Sequence, residues 1–205
     1  MANYGRISVQ RKTGDEHFHS GGDDLPFDLR SFWQWAGSDI VSNVWRGLIA
    51  EYLVAQAVGI GEGARDEWAM YDIHTPDGLK IEVKSSAYLQ SWYQEGPSSV
   101  GFDIGPKLGW DSASNTYEAE PRRSANLYVF ALHSHSSDKA TLDPLNVSQW
   151  EFYVLPTARL NEKCPTQKKI KLSSLLSKFE LQPVSFDQLR KAIEDASTQA
   201  LVGRT

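Results

Sequence analysis

The sequence predicts an α/β domain in which a central mixed β-sheet is flanked by helices. A helical pattern of apolar residues runs from about residue 27 to residue 58, and a turn signal at 75–78 separates two runs rich in apolar and β-branched residues. Two further apolar runs, LYVFAL at 127–132 and WEFYVL at 150–155, are typical of buried strands. The chain has 205 residues, which is enough for one sizeable core.

The N-terminal part is expected to differ from the rest. Residues 1–26 are polar and glycine-rich, and they are interpreted as a polar N-terminal arm or irregular lead-in. Residues 27–205 are then expected to form a single α/β domain with C-terminal helices.

Two helices are predicted at the start of this domain. The first covers Phe27–Ala36, and the second begins at an N-cap at Ser38 or Asp39 and ends at Gly59. The other elements expected are a strand at Ser99–Ile104 and helices at Leu172–Phe179 and Phe186–Ala200.

Composition narrows the class of protein. A net charge of −5 and a pI near 5.5 disfavour a protein that coats nucleic acid non-specifically, but they allow a nuclease that needs only a local basic surface. The single cysteine, Cys164, excludes an internal disulfide framework and fits a reducing cytoplasm. Because no membrane-span run or signal-peptide core is found, a soluble, cytoplasmic protein is expected.

The predicted hairpin around residues 75–78 carries the main candidate site. Strand alternation puts Asp72 on the polar face of the first strand, and Glu82 and Lys84 on the polar face of the second. A turn centred near Asp77 sets Asp72 directly across from Glu82. Two opposed carboxylates repel each other, and a Mg²⁺ ion between them would turn that repulsion into coordination.

Lys84 projects on the same face, two residues beyond Glu82. There it would orient or deprotonate an attacking water, or stabilise charge that develops on a phosphate. A metal ion and a lysine together suit hydrolysis of a phosphodiester bond. The alternative is a solubilising strand face, because Lys80, Glu82 and Lys84 alternate as they do on many exposed strands.

A glutamate on the long helix adds to this candidate site. On a helical wheel, Glu51 lies in an apolar sector with Val44, Leu48 and Val54 and without any basic residue. Such a carboxylate requires a partner, neutralisation or a metal ion. Glu51 therefore accepts hydrogen bonds from the backbone or a tryptophan indole, or it joins the acidic cluster where Gly47 lets the helix approach the hairpin. We expect the polar hairpin face to meet Glu51.

These segments resemble the PD-(D/E)XK nuclease superfamily, to which restriction endonucleases belong. The resemblance is carried by a helix with an inward glutamate (RGLIAEYLV), a strand with an aspartate (YDI) and the sequence IEVK, over roughly Ser38–Ala87. It implies a restriction endonuclease-like core and Mg²⁺-dependent hydrolysis of DNA, with Mn²⁺ as a possible substitute. The rival interpretation is a catalytically inactive nuclease-fold protein that binds DNA or a protein partner.

Carried over by position, the resemblance implies roles for individual residues. Asp72 and Glu82 correspond to the metal ligands, Lys84 to the catalytic lysine and Glu51 to an auxiliary acid that completes the metal site. The main-chain carbonyl of Val83 is a further expected ligand.

Two departures from the superfamily pattern affect this assignment. The literal Pro76-Asp77 pair matches the motif name, but Asp77 is at the turn tip and far from Glu82, so Asp72 is preferred. The eight residues Ile60–Glu67 are irregular where the superfamily usually has another strand.

Weaker expectations concern the substrate and the assembly. Gln90 continues the active face, and Arg122 and Arg123 precede a buried strand, so all three are candidate nucleic-acid contacts. A homodimer would suit cleavage of both strands of a duplex, although the sequence shows no interface signature.

Overall fold

The computed structural model of the chain describes residues 4–111 and 114–202, the last four of them by their backbone alone. Its strands are β1 (His17–Ser20), β2 (Asp23–Asp28), β3 (Ile73–His74), β4 (Lys80–Ala87), β5 (Gly101–Asp103), β6 (Trp110–Asp111), β7 (Thr116–Tyr117), β8 (Leu127–His133), β9 (Trp150–Pro156) and β10 (Lys169–Lys171). Its α-helices are α1 (Leu29–Gly37), α2 (Asn43–Ala57), α3 (Thr157–Lys163), α4 (Leu172–Phe179) and α5 (Phe186–Val202).

The central sheet is mixed, as predicted. Over the described ranges it contains four strands in the order β3-β4-β8-β9. Strands β4 and β8 are parallel, whereas β3 pairs with β4 and β9 pairs with β8 in the antiparallel sense. The predicted mixed α/β architecture is therefore confirmed, and strand β3 forms one edge of the sheet.

Alternation along β4 divides its side chains between two layers. Ile81 and Val83 pack with the apolar faces of α2 and α5 on one side of the sheet. On the other side, Tyr128 and Phe130 of β8 pack with residues of α3, α4 and the β5–β10 pair. Glu82 and Lys84 belong to this second face, because successive side chains of a strand point to opposite sides.

The hairpin between β3 and β4 has the predicted turn and register. Gly78 has a φ of +89° and donates its N–H to the carbonyl of Thr75 at 2.9 Å, so the turn needs the freedom of glycine at this position. Ile73 pairs with Ile81. This register places Asp72 across from Glu82, although Asp72 lies one residue before the short strand.

Helix α2 begins later than predicted. Its N-cap is Ser42, which accepts a hydrogen bond from the N–H of Trp45, and the expected caps Ser38 and Asp39 lie outside the helix. Gly59, with a φ of +80°, follows its C-terminus as expected.

The buried face of α2 also differs from the prediction. Ala50 and Val54 are fully buried against the sheet, whereas Val44, which shares the sector of Glu51, is 71% exposed. A Cβ added to Gly47 would meet no atom within 4 Å, so this glycine does not mediate a close approach. Glu51 therefore lies at the margin of the apolar face and not in its middle.

The first 37 residues contain more regular structure than expected. Strands β1 and β2 form an antiparallel hairpin within the predicted irregular arm. Helix α1 begins after Asp28, whose carboxylate accepts a hydrogen bond from the N–H of Ser31 in a capping box. None of the residues of α1 is buried, although the helix lies in the stretch predicted to belong to the domain. The division into an arm and one domain stays a prediction.

Some regular elements were not predicted, whereas one segment that was predicted to be irregular is irregular. Helix α3 and strand β10 lie between residues 156 and 172, where the sequence predicted no regular element. No strand is assigned between residues 58 and 72, all of which the structure describes, so the segment before Asp72 is irregular. No helix in the described part of the chain combines the length and apolarity that crossing a bilayer requires.

Candidate active site

A polar cleft of about 300 Å³ opens at the edge of the sheet, beside Asp72 and just before β3 begins. Asp72, Glu82 and Lys84 all line it. The three side chains predicted to share one face therefore do so. Trp68 and Trp110, whose ring centroids lie 5.4 Å apart in an edge-to-face contact, form an aromatic part of the wall.

Asp72 is held against the free edge of β4. Its N–H donates to the carbonyl of Ile81 at 3.1 Å, which continues the hairpin by one residue. Its carboxylate accepts the N–H of Val83 at 2.7 Å, in the place where a longer β3 would have supplied a carbonyl. Because the N–H and C=O of a strand residue point to the same side, the carbonyl of Val83 also opens toward this edge.

The electrostatic setting of Asp72 is unfavourable for a charged carboxylate. Burial, and then the neighbouring charges of Glu82 and Glu51, raise the pKa of Asp72 to about 6 against the opposing effects of Lys84 and the Val83 N–H. A structural ion pair would have lowered this pKa. Asp72 is therefore a carboxylate whose charge lacks full compensation.

Glu82 and Lys84 form an ion pair on the cleft wall. Nζ of Lys84 lies 2.5 Å from Oε1 of Glu82, and the two side chains are only 18% and 10% exposed. Nζ of Lys107 approaches the same oxygen at 3.5 Å. Burial acts to lower the pKa of Lys84, but Glu82 and Asp72 together raise it above its usual value. Lys84 is thus protonated at neutral pH, which favours charge stabilisation over deprotonation of water.

Glu51 does not join Glu82 and Lys84 on the polar hairpin face, which corrects that part of the expectation, although it lines a cavity together with Asp72. Helix α2 packs on the Ile81 side of the sheet, opposite to Glu82. Glu51 pairs with Nε of Arg65 at 2.5 Å, and its side chain is 18% exposed. Its partner comes from the irregular segment after α2, where a helical wheel cannot place it.

A second cavity of about 310 Å³ lies on the α2 side of Asp72. Glu51, Arg65 and Asp72 are among its lining residues. Asp72 therefore separates two openings, with Glu82 and Lys84 in one and Glu51 in the other. Glu51 acts on Asp72 through its charge, since it contributes to the raised pKa of Asp72.

Two of the three candidate nucleic-acid contacts are buried. Gln90 is 7% exposed and accepts a hydrogen bond from Nη2 of Arg46 at 2.7 Å. Arg123 is also 7% exposed, and its guanidinium donates to the carbonyls of Ile104 at 2.6 Å and Cys164 at 2.7 Å. Both side chains form hydrogen bonds inside the protein with their polar atoms, which corrects the expectation that they face a nucleic acid.

Arg122 occupies a different position from its neighbour Arg123. It is exposed, it lines the cleft, and its guanidinium forms an ion pair with Glu118. Its backbone pairs with that of Lys107, with N–H to carbonyl distances of 2.9 and 3.0 Å in the two directions. Arg122 and Lys107 thus both line the cleft, each next to a carboxylate, that of Glu118 and that of Glu82 respectively.

Comparison with known protein families places this geometry in context. Residues 33–172, more than half of the chain, match the family described as bacteriophage T4 endonuclease IV. The chain belongs to the bacteriophage T4 endonuclease IV family. It is accordingly a nuclease, and the match covers the whole hairpin with Asp72, Glu82 and Lys84. A search of curated proteins finds no match.

The donor atoms of this endonuclease IV family member fit a hard divalent cation. The carboxylates of Asp72 and Glu82 line the same cleft, and oxygen donors of this kind are those that Mg²⁺ prefers. Within the described residues, no group of three or more His, Cys, Asp or Glu side chains has a metal-binding arrangement.

Proposed function

We propose that the chain hydrolyses phosphodiester bonds of DNA in a Mg²⁺-dependent reaction, with Mn²⁺ as a substitute, at a PD-(D/E)XK-type site. The observation that carries the proposal is the geometry of the cleft, where Asp72 lies across the hairpin from Glu82 and Lys84 lies 2.5 Å from Glu82 on the same wall. A divalent cation would relieve the repulsion between the two carboxylates. Proton binding relieves it only in part and only at low pH.

Each cleft residue has a distinct role in this proposal. Asp72, Glu82 and the Val83 carbonyl would hold Mg²⁺, which supplies a Lewis acid for the phosphate and an activated water. Lys84 is held on the wall by Glu82 at 2.5 Å, and its ammonium stabilises negative charge on the scissile phosphate. Lys107 lies beside the same carboxylate and would contact a neighbouring phosphate oxygen.

The superfamily assignment is proposed on the order of elements as well as on the residues. Helix α2 precedes the β3–β4 hairpin, and β4 is followed by the buried strands β8 and β9 in the same sheet. The E-x-K sequence of Glu82 and Lys84 lies on β4, next to the sheet edge where Asp72 is anchored. This arrangement supports a restriction endonuclease-like core, and the irregular segment before Asp72 is its main departure.

Glu51 receives an indirect role. Its carboxylate is engaged by Arg65, but its negative charge still acts on Asp72, and we propose that this charge raises the affinity of the site for a cation. DNA is proposed as the substrate because both the endonuclease family and the resemblance to restriction enzymes favour it. Membership of an endonuclease family weighs against the inactive, binding-only alternative.

The test compares two aspartates that lie five residues apart. Asp77 is exposed at the turn tip and bonds only with Thr75 in the described structure, so Asp77→Asn is a matched control for Asp72→Asn. Nicking of plasmid and cleavage of single-stranded DNA are measured over a Mg²⁺ and a Mn²⁺ titration, and metal binding is measured by calorimetry.

We expect Asp72→Asn to lose metal binding and cleavage together, while Asp77→Asn keeps both. Cleavage that survives in Asp72→Asn, or that needs no divalent cation in the parent protein, would refute the proposed site. Metal binding without any cleavage of DNA would support the binding-only alternative.

A further inference from the structure

A row of lysines borders the cleft on the β5–β10 ribbon. Strands β5 and β10 pair in the antiparallel sense, with Lys169 opposite Asp103 and Lys171 opposite Gly101. Ile170 is 2% exposed and packs into the core, so Lys169 and Lys171 lie on the outer face of the ribbon. Both are exposed. The ribbon therefore presents two lysine side chains to solvent, about 7 Å apart along the strand.

Lys168 connects this face to the cleft. A Cβ added to Gly105, which lines the cleft, would lie 3.5 Å from Cγ of Lys168, so the lysine stem crosses directly over the glycine. Two residues further along, Lys107 reaches Glu82. The order from the candidate active site outward is thus Lys107, Lys168, Lys169 and Lys171.

The outer three lysines are not neutralised by ion pairs. In the described structure, Lys168, Lys169 and Lys171 have no carboxylate within ion-pair distance. By contrast, Arg190 and Lys191 on α5 each pair with an acidic residue one turn later. In a chain with a net charge of −5, an unpaired basic row beside the site is a local exception.

Arg123 fixes the ribbon relative to the cleft. Its guanidinium joins the end of β5, through the carbonyl of Ile104, to the segment before β10, through the carbonyl of Cys164. The N–H of Ile104 also donates to the carbonyl of Lys168 at 2.8 Å. The lysine row is therefore carried by a braced backbone and does not depend on a free loop.

We propose that this ribbon binds the sugar–phosphate backbone of the nucleic-acid strand that enters the cleft, through Lys168, Lys169 and Lys171. The proposal rests on the proposed function in taking DNA as the substrate. Lysines are compact charges that contact phosphates without reading bases, and a spacing of about 7 Å matches the rise of about two phosphates along one strand of a duplex. The row gives the substrate a direction, from the active site along β10.

The test uses the full chain with Lys168, Lys169 and Lys171 all changed to Gln. The control changes Lys139, Arg190 and Lys191 to Gln, which removes the same number of charges from exposed positions elsewhere. Binding of a fluorescein-labelled oligonucleotide, single-stranded and duplex, is measured by anisotropy in EDTA, between roughly 50 and 200 mM salt.

The ribbon variant is expected to bind about tenfold or more weakly at the lowest salt, with the slope of log affinity against log salt reduced by about two to three. The control should keep the parent affinity and slope. At saturating DNA, the ribbon variant should retain kcat and show a raised KM. Equal affinity and slope in the two variants would overturn the proposal. Since binding is measured without metal, loss of the proposed nuclease mechanism would not affect this result.

Discussion

Polar groups are buried near both ends of strand β4, but their chemical environments differ. Beyond its C-terminal end, Arg46 is 2% exposed and donates to the carbonyl of Leu89 at 3.0 Å and to Oε1 of Gln90 at 2.7 Å. Near its N-terminal end, Asp72 and Glu82 place two carboxylates beside one lysine. The first end is closed and satisfied by neutral acceptors, whereas the second is open and carries uncompensated negative charge. The closed end therefore holds a single cation through hydrogen bonds to neutral oxygens, whereas the open end leaves two like charges side by side.

The largest expected effect is on the rate of catalysis, and it distinguishes two lysines of strand β4. We expect Lys84→Met to lower kcat by about 10²-fold or more, because an ammonium directed at a developing charge contributes on that scale. Lys80→Met is the matched control, since Lys80 begins the same strand and lies over the ring of Tyr71 at 5.1 Å. The measurement is single-turnover cleavage at saturating metal. Equal rates in the two variants would remove Lys84 from the mechanism.

The closed end should respond in stability and not in chemistry. Arg46→Met leaves at least two buried acceptors without donors, and each such loss costs about 1–3 kcal/mol. We expect the free energy of unfolding in urea to fall by about 3 kcal/mol, with the kcat of the folded protein unchanged. Arg190→Met, at a position 66% exposed, should change stability by less than about 0.5 kcal/mol. A drop in kcat at full stability would show that the two ends are coupled.

The pH dependence of stability provides a third comparison, made in EDTA. The folded-state pKa of Asp72 is raised from 3.8 to about 6, so the folded protein holds a proton that the unfolded chain releases. The parent protein therefore loses stability as the pH rises from about 4 to about 6, and Asp72→Asn does not. At pH 8 we expect Asp72→Asn to be more stable by about 3 kcal/mol, a difference that disappears below about pH 4.

Addition of Mg²⁺ at the same pH sharpens this prediction. The cation should stabilise the parent protein and leave Asp72→Asn unchanged, since it would relieve the same repulsion. Urea unfolding curves at each pH, with and without Mg²⁺, measure both effects. If the difference in free energy of unfolding between the parent and Asp72→Asn stays constant across the whole pH range, the charge of Asp72 is fully compensated in the folded protein.

The smallest effect concerns the helix that connects the two ends. Gly47 lies between Arg46 and Glu51 on α2, and a Cβ there meets no atom within 4 Å. We expect Gly47→Ala to stabilise the protein by about 0.5–1 kcal/mol and to leave cleavage unchanged. Thermal unfolding and a plasmid assay are sufficient. A loss of stability would mean that α2 does approach another element at this point.

Local rules predicted the parts of the site that depend on neighbours in sequence. The turn at 75–78, the register that opposes Asp72 to Glu82, and the shared face of Glu82 and Lys84 follow from turn chemistry and strand alternation. The apolar strands β8 and β9 were also predictable, because strands covered on both faces form continuous apolar runs.

The errors occurred where contacts are distant in sequence. The partner of Glu51 is Arg65, from an irregular segment with no periodicity to place it. Arg123 follows exposed Arg122, yet it is buried because three separate segments converge on it, including Ile104 and Cys164. Adjacent residues of the same type can thus have opposite environments, and only tertiary packing distinguishes them.

The hydrogen bond from Val83 to Asp72 also affects how the protein avoids self-association. Strand β3 has only two residues, so the longer strand β4 would otherwise expose a ladder of free backbone groups along its outer edge. Such an edge recruits strands from other molecules and seeds aggregates. The carboxylate of Asp72 occupies the Val83 N–H at 2.7 Å and brings a negative charge to the edge. We therefore expect the side chain that is proposed to bind a cation also to disfavour intermolecular β-pairing at Val83.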